Sequence, residues 1–413
     1  MENDIVLALK ESNPWWLGEF KPGAYKHRDV YAQISKFLDM RQIIAFVGLR
    51  RTGKTTLMLK IVDDFLKRGL PAKNIMYFSF DDFADMDLRE PISAYQRLLN
   101  LDIKNGKFLF LFDEVQKLES WQEKIKRIYD AYPDIKIIIS GSESLFIRNK
   151  IRESLAGRMF EFNIRPLSFK EFIRFRGKDF ENLKLYKEEI LREFQFFAKT
   201  NGFPEIVAVD DEVIINKYIK ENILDKVVYK DMSVLFGIRD LNVISSILRI
   251  IMNNPGQVLN LIGLSGELGI SRQTLSLYLD YLEKAFLVRK LYNFSRNIRK
   301  SERSLKKYYP TIILPILLKD NFPKAFETMM VLQEDAEYFY RNPQKYEVDI
   351  IKIYENKILP IEVKTGKIEI KALNYFMKSF KVRQGIVLSY EQEVKLTEEI
   401  TAIPFYKRLL LKE

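Results

Sequence analysis

The stretch RQIIAFVGLRRTGKTTLMLKIVDDFLKRG, residues 41–69, decides the fold of the first part of the chain. It starts with an unbroken apolar run, passes through a loop containing two glycines, and continues with apolar residues at helical spacing. The loop fits the pattern G-x-x-x-x-G-K-[ST] from Gly48 to Thr55. Backbone N–H groups of such a loop and the positive end of the following helix point to one place, where phosphate binds. The sequence therefore predicts a phosphate-binding loop.

The residues of this loop have distinct expected roles. Lys54 is expected to bridge the β- and γ-phosphates of a nucleotide, and Thr55 to place its hydroxyl on Mg²⁺. Arg50 and Arg51 are basic and close to the phosphates, although side chains that face water explain them equally well. The predicted nucleotide-binding set is Gly48, Arg51, Thr52, Gly53, Lys54, Thr55 and Thr56. A chance glycine-rich turn is the alternative, and the strand before the loop and the helix after it argue against that alternative.

A second apolar run, KFLFLFDEVQKL at residues 107–118, ends in two carboxylates. Such a run is typical of a strand buried on both faces of a parallel sheet. We assign Asp113 to Mg²⁺ through a water molecule, and Glu114 to activation of the attacking water as general base. Without the phosphate loop, a helix N-cap pair would be the simpler interpretation. ATP is favoured over GTP because an additional strand is predicted and no N-K-x-D motif occurs.

Two further apolar runs, at residues 74–83 and 134–146, are predicted to be strands of the same sheet. The second ends in small polar residues, so Ser140 or Ser142 is a candidate to contact the attacking water or the γ-phosphate. Of these, Ser142 is included in the predicted catalytic set. An ordinary Ser/Gly turn explains the same residues.

Arg158 is the remaining catalytic candidate of this part of the chain. It follows a glycine after a charged loop and would reach a γ-phosphate in cis, or from a neighbouring subunit of an oligomer. A salt bridge or a solvated turn is an equally good explanation.

The composition excludes several kinds of chemistry. The 413 residues include no cysteine and a single histidine, so disulfides, thiolate metal sites and histidine-cluster zinc sites are excluded. Any metal must be held by oxygen, which favours magnesium or manganese. The net charge of +11 suits a polyanionic partner such as DNA, although a lysine-rich solvated surface gives the same charge. The apolar runs are shorter than the about 20 residues of a membrane-spanning helix, so we expect no membrane association and a cytoplasmic location.

The stretch KYEVDIIKIYENKILPIEVKTG, residues 345–366, is predicted to form two consecutive strands. Asp349 lies on the first strand, and Glu362 and Lys364 share one face of the second because side chains alternate. Two carboxylates and a lysine in this arrangement would hold Mg²⁺ and orient water for phosphodiester hydrolysis. Glu327, from the preceding helix, is the expected further metal ligand. Alternation in any half-exposed strand gives the same spacing, but unpaired carboxylates inside apolar strands would be costly.

Residues 236–308 have the outline of a winged helix, with a helix, a short turn and a second helix. Arg272, Gln273 and Ser276 lie off the apolar stripe of that second helix and would enter a DNA major groove. The basic stretch SRNIRKSERSLKKYYP, residues 295–310, would neutralise phosphates. A module that contacts protein partners or covers the nucleotide is the alternative, and a solvated loop also explains the basic stretch.

The motifs and their order resemble those of a known family. In chain order they are NPWW, FVGLRRTGKTTLM, LFDEVQKL, ISGSESLF, LAGR, RPLSFKEF and NGFPEIV. They look like the archaeal AAA-superfamily ATPases, also found in bacteria, that carry an uncharacterised C-terminal domain. The resemblance implies an α/β fold with a P-loop core whose parallel sheet is flanked by helices, followed by three further parts. The implied domains are the ATPase core at 1–167, a helical lid at 168–235, a winged helix at 236–308 and a restriction-endonuclease-like α/β domain at 309–413.

The sequence therefore predicts an AAA-like enzyme that hydrolyses ATP with Mg²⁺, associates with DNA and carries a Mg²⁺-dependent nuclease domain. The alternative is an ATP-regulated switch that binds DNA or a protein partner and whose C-terminal domain is an inactive nuclease.

Overall fold

Residues 1–166 and 167–413 form two separate units in the computed structural model of the chain. The structure describes residues 2–411 with the exception of 19, 21, 22, 24, 84, 85, 142–154, 234–237, 239, 298, 300, 302, 303 and 356. Each unit contains its own β-sheet.

A parallel sheet forms the centre of the first unit. Its strands are β1 (Ile43–Val47), β2 (Ile75–Ser79), β3 (Phe108–Asp113), β4 (Ile135–Gly141) and β5 (Met159–Asn163). They lie in the order β2-β3-β4-β1-β5, and all neighbours are parallel. β4 thus lies between the strand that leads into the phosphate loop and the strand that ends at Asp113. The predicted additional strand is confirmed.

Helices cover both faces of this sheet, which explains why β1 is apolar throughout and β3 is apolar up to Asp113. The helices are α1 (Glu2–Ser12), α2 (Asp29–Ile34), α3 (Lys54–Lys67), α4 (Arg89–Leu99) and α5 (Trp121–Ala131). Every residue of β1, β3 and β4 is buried. On one face, Leu57 and Ile61 of α3 share a core with Ile44 and Phe46 of β1.

The NPWW motif covers the edge strand β2. The Asn13 amide accepts from the Tyr77 N–H (2.7 Å) and donates to the Tyr77 carbonyl (2.9 Å), as a neighbouring strand would. The indole N–H groups of Trp15 and Trp16 both donate to the Ile75 carbonyl, at 3.0 and 2.8 Å. An exposed sheet edge is a template for unwanted pairing with another chain, and these contacts occupy it.

A mixed sheet of nine strands runs through the second unit in the described residues. Its order is β13-β14-β12-β11-β10-β9-β7-β8-β6. The strands are β6 (Gln257–Val258), β7 (Val288–Asn293), β8 (Lys306–Pro310), β9 (Tyr338–Arg341), β10 (Glu347–Tyr354), β11 (Lys357–Lys364), β12 (Gly385–Ser389), β13 (Val394–Lys395) and β14 (Ile400–Pro404). Strands of the predicted winged helix and of the predicted nuclease domain therefore belong to one sheet, joined where β7 pairs with β9.

The helices of the second unit follow the sequence pattern closely. They are α6 (Phe169–Phe175), α7 (Lys187–Thr200), α8 (Glu212–Lys217), α9 (Leu241–Asn253), α10 (Leu261–Glu267), α11 (Arg272–Lys284), α12 (Pro315–Asp320), α13 (Phe322–Gln333), α14 (Lys371–Phe380) and α15 (Phe405–Leu411). Two π-helical segments, Tyr218–Leu224 and Lys226–Asp231, follow α8. In the part of the chain that the structure describes, no helix combines the length and apolarity needed to cross a membrane.

An aromatic core joins the first helices of this unit to its C-terminal part. Phe169 of α6 and Phe194 of α7 pack with Phe326 of α13 and Phe405 of α15, and the Phe194 and Phe405 ring centroids are 4.1 Å apart. The predicted lid spans residues 168–235, and its first two helices, α6 and α7, thus share a hydrophobic core with the predicted nuclease domain.

We expect Asn13→Ala to lower the free energy of unfolding by about 2 kcal/mol, because it removes bonds to the buried edge of β2 and leaves the Tyr77 backbone groups unpaired. Urea unfolding followed by tryptophan fluorescence measures this change. Asn105→Ala, in an exposed turn, is the matched control and should shift stability by less than about 0.5 kcal/mol. Equal stability of the two variants would contradict the edge-covering role of Asn13.

Candidate functional site

The backbone of the phosphate loop packs closely against the end of β5. Gly48 has φ +142°, and a Cβ atom at this position would lie 2.3 Å from the Ile164 carbonyl oxygen. The Ile164 N–H in turn donates to the Val47 carbonyl (2.7 Å). Only glycine fits this approach, and Gly53, with φ +96°, makes the turn into α3.

Arg28 holds the loop in place and was not singled out by the sequence analysis. Its buried guanidinium donates to the carbonyl of Thr52 (2.8 Å) and to that of Arg165 (2.7 Å). The loop is therefore fixed to the segment that follows β5. Within the loop, the Thr52 hydroxyl donates to the Leu49 carbonyl (2.9 Å).

Lys54 lies inside the loop that it was predicted to serve. Its side chain is 5% exposed, and its ammonium donates to the carbonyls of Gly48 (3.1 Å) and Leu49 (2.9 Å). The charge is thus held at the place where the loop would receive phosphate oxygens. Arg51 and Thr56 belong to the same loop and helix start, and their side chains are exposed.

Asp113 connects the loop to the neighbouring strands. Its Oδ2 accepts from the Thr55 hydroxyl at the start of α3 (2.7 Å) and from the Tyr77 hydroxyl of β2 (2.9 Å). Its Oδ1 accepts from the Ser140 hydroxyl of β4 and from the Glu114 N–H (3.1 Å). Two predicted Mg²⁺ ligands, Thr55 and Asp113, are therefore in direct contact, and both offer the hard oxygen atoms that Mg²⁺ prefers.

Tyr77 was missed by the sequence analysis, although it lies on a strand that the analysis predicted. Burial, together with the charges of Asp113 and Glu114, raises the pKa of the Tyr77 phenol. The phenol therefore stays protonated and acts as a donor to Asp113.

Glu114 occupies a special backbone position next to Asp113. Its φ of +56° is left-handed, and its carboxylate accepts from the Gln116 amide. Burial raises the pKa of Glu114, the charge of Lys54 opposes that rise, and the charge of Asp113 adds to it. A carboxylate whose pKa is raised in this way binds a proton more strongly, which suits a general base.

The structure places the other catalytic candidates differently. Ser140 is fully buried and donates to Asp113, so it orients this carboxylate. Ser142 lies outside the described residues. Arg158 is at the other end of the sheet, because its carbonyl accepts from the N–H of Ile43 at the amino end of β1 (2.8 Å).

Of the alternatives that the sequence left open for Arg158, this position does not suit a role in cis. β1 separates Arg158 from the phosphate loop by about 13 Å, at roughly 3.3 Å per residue. The Arg158 side chain instead pairs with Asp130 of α5 at 3.2 Å.

In the second unit, the predicted hairpin brings two carboxylates together. The antiparallel register pairs Ile350 with Ile361, so Asp349 and Glu362 are opposite each other on β10 and β11. Asp349 accepts from the Val363 N–H (2.9 Å), and the Lys364 ammonium lies 2.8 Å from Glu362. Burial raises the pKa of both carboxyl groups, and the repulsion between them adds to the rise at Glu362.

Glu327 does not complete the expected ligand set. Its Oε1 accepts from the Tyr309 hydroxyl (2.7 Å) and its Oε2 from the Lys324 ammonium (2.8 Å). Burial acts to raise the pKa of Glu327, but the charges of Lys307 and Lys324 outweigh it and lower the pKa. Across the described residues, no three carboxylate or histidine side chains are grouped so that they hold a metal ion.

Asp349, Glu362 and Glu327 with their neighbours are called the carboxylate cluster below. Lys307 and Tyr309 belong to it through contacts with Glu327, although the sequence placed both in the basic stretch. Lys307 lies in the basic stretch at 295–310, yet its side chain is 2% exposed and its ammonium is 2.5 Å from Glu347. Lys307 therefore cannot neutralise DNA phosphates. Because side chains alternate along β8, Lys307 and Tyr309 lie on the same face of the sheet.

The helix predicted to enter DNA, α11, buries its apolar stripe and exposes its polar side chains. Leu275, Leu279 and Leu282 of α11 are buried, and the Ser271 hydroxyl accepts from the Thr274 N–H (3.0 Å) as N-cap. Arg272, Gln273 and Ser276 are exposed on the opposite side.

Comparison with family models divides the chain into three matched regions. Residues 40–173 match a model described as AAA domain. Residues 192–311 and 326–407 match two models described as domains of unknown function, DUF8612 and DUF4143. Among solved structures, the Walker-type ATPase paby2304 of Pyrococcus abyssi aligns with a TM-score of 0.45 at 16% identity, covering 70% of this chain and 94% of that chain.

Two similar proteins come from Methanocaldococcus jannaschii. Uncharacterized protein MJ1637 is 26% identical over 456 residues, which cover 99% of this chain and 94% of that protein. Uncharacterized protein MJ1544 is 31% identical over 420 residues, which cover 93% of this chain and 92% of that protein. The chain therefore belongs to the family of MJ1544, and the fold of its first unit is that of an AAA-type P-loop ATPase.

Proposed function

We propose that the first unit binds and hydrolyses ATP. The 2.7 Å hydrogen bond from the Thr55 hydroxyl to Asp113 carries this proposal. It brings the expected Mg²⁺ ligand of the phosphate loop into contact with the carboxylate at the end of β3. Asp113 already accepts four hydrogen bonds, so it would hold Mg²⁺ through water. When bound, Mg²⁺ neutralises charge on the β- and γ-phosphate oxygens.

The side chains of this chain supply the remaining steps. Lys54 exchanges the Gly48 and Leu49 carbonyls for phosphate oxygens and stabilises their negative charge. Glu114 accepts a proton from the attacking water, and its raised pKa makes it a stronger base. Tyr77 and Ser140 keep Asp113 in the orientation in which it faces Thr55. Arg158 of a neighbouring copy remains a proposal for the stabilisation of the γ-phosphate.

We further propose that the second unit contacts DNA and that its carboxylate cluster hydrolyses phosphodiesters with Mg²⁺. The opposed pair Asp349 and Glu362 supports this proposal, since Glu362 Oε2 is buried without a hydrogen-bond partner among the described residues. A cation would satisfy that oxygen, and Lys364 would steady the developing charge. The helices α9 to α11 with β7 and β8 would form the winged helix that holds duplex DNA through Arg272 and Gln273.

The alternative is a binding switch whose C-terminal domain does not cut. Lys307, Lys324 and Lys364 surround Glu327, Asp349 and Glu362, and a static ion network would also satisfy these carboxylates. In that case, ATP would regulate the binding of DNA or of a protein partner.

We expect Lys54→Ala to abolish ATP turnover. Glu114→Gln should retain ATP binding and lower kcat by about 10²- to 10⁴-fold, because the amide cannot accept the proton. Release of phosphate and binding of a fluorescent ATP analogue measure the two effects separately. Glu119→Gln, at a nearby exposed carboxylate, is the control with unchanged turnover. Full turnover by either site variant would refute the assignment of the ATP site.

For the second unit, we expect the intact protein to nick supercoiled DNA in Mg²⁺ or Mn²⁺, and Asp349→Asn to stop the reaction, since an amide binds divalent cations weakly. Gel electrophoresis of the plasmid measures the nicking. Glu369→Gln, whose side chain is 71% exposed, should cut like the unchanged protein. No cleavage of any DNA form in either metal would instead favour the switch.

A further inference from the structure

A cavity of about 490 Å³ opens on the sheet of the second unit, away from the residues of the carboxylate cluster. Its lining includes Lys290 and Tyr292 of β7, Arg296 beyond that strand, Tyr338 of β9 and Ile353 of β10. Its volume lies within the about 300–1,000 Å³ of pockets that bind small organic groups.

Aromatic rings form the floor of this tyrosine cavity. Tyr292 and Tyr338 are register partners on the parallel strands β7 and β9, with ring centroids 6.4 Å apart. The Phe294 ring supports Tyr338 edge-on, at 6.0 Å between centroids. Both tyrosines are half-buried, and the neighbouring Ile353 is 48% exposed. Two aromatic rings tilted by 50° to each other, and an apolar side chain beside them, are thus partly exposed in the middle of the sheet.

Charged side chains of both signs lie around these rings, with cations in slight excess. The ammonium groups of Lys290 and Lys306 lie 5.4 and 5.6 Å from the Tyr292 ring centroid. Arg296 donates to the Phe380 carbonyl (2.7 Å). The cations at the cavity are Arg289, Lys290, Arg296 and Lys306, and the acids beside them are Glu283, Asp335 and Glu337. Arg289 pairs with Asp335 and Lys290 with Glu283, so the excess of one positive charge comes from Arg296 and Lys306 against Glu337.

We propose that the tyrosine cavity binds single-stranded nucleic acid, with an unstacked base on Tyr292 and Tyr338 and its phosphates beside Lys306 and Arg296. Exposed aromatic rings on a sheet and cations at their rim are the combination that single strands require, because every base has a face that stacks. Duplex DNA does not offer these faces, since its bases are stacked on each other. An acidic peptide would satisfy the cations but leave the rings without a partner.

This proposal does not rest on ATP hydrolysis or on nuclease activity. It assigns a binding site separate from the exposed face of α11, which would hold duplex DNA. Substitutions in the tyrosine cavity should therefore affect the affinity for single strands and leave the affinity for duplex DNA unchanged.

Fluorescence anisotropy of the full chain with labelled oligothymidylate of about 15 nucleotides, and with a duplex of equal length, tests the proposal. Tyr292→Ala combined with Tyr338→Ala should weaken single-strand binding about 10-fold or more and leave duplex binding within about 2-fold. Tyr292→Phe keeps the stacking face and should retain the affinity. Tyr186→Ala, at a tyrosine that is 41% exposed elsewhere in the unit, is the matched control.

A second variant distinguishes loss of binding from loss of folding. Lys306→Gln should lower the slope of log affinity against log salt by about 1 for the single strand, whereas its urea unfolding midpoint stays unchanged. Unaltered single-strand affinity of the double alanine variant would overturn the proposal. Equal weakening of duplex binding, or displacement of the single strand by an equimolar amount of AMP or of an acidic peptide, would also overturn it.

Discussion

The first unit depends on how the carboxylate of Asp113 is bound. A buried carboxylate is costly unless hydrogen bonds replace its hydration. Here the donors come from three elements, since Thr55 starts α3, Tyr77 lies on β2 and Ser140 lies on β4. The same group therefore fixes the relative positions of the phosphate loop and three strands of the sheet. Loss of any one donor would affect both stability and the geometry of the ATP site.

The second unit neutralises its buried carboxylates with ammonium groups. Lys307 lies between Glu327 and Glu347, and Lys364 lies beside Glu362. Ion pairs of this kind contribute little net stability relative to apolar residues of similar volume, because desolvation offsets the attraction. The arrangement leaves each of these buried carboxylates beside at least one ammonium group.

The sequence was most informative where the residues of one site lie close together in the chain. The loop from Gly48 to Thr55, the Asp113 strand and the hairpin with Asp349 and Glu362 each occupy a short continuous stretch, so periodicity and spacing locate them. Arg28 was not predictable, because its partners Thr52 and Arg165 are distant in sequence. The sequence left several roles open for Arg158 for a related reason. The sequence does not reveal at which end of the sheet the residue before β5 lies. The parallel pairing of β5 with β1 places it at the amino end of β1, away from the phosphate loop.

The division of the second unit was least predictable, because its sheet crosses the expected boundary between residues 308 and 309. β8 spans this boundary, and on it Lys307 and Tyr309 both contact Glu327. Composition changes near this point, but hydrogen bonding between strands does not respond to composition. Because β7 pairs with β8 and with β9, the tyrosine cavity and the carboxylate cluster are built on one continuous sheet. β7 and β8, predicted as strands of a winged helix, therefore belong to the same sheet as the strands of Asp349 and Glu362.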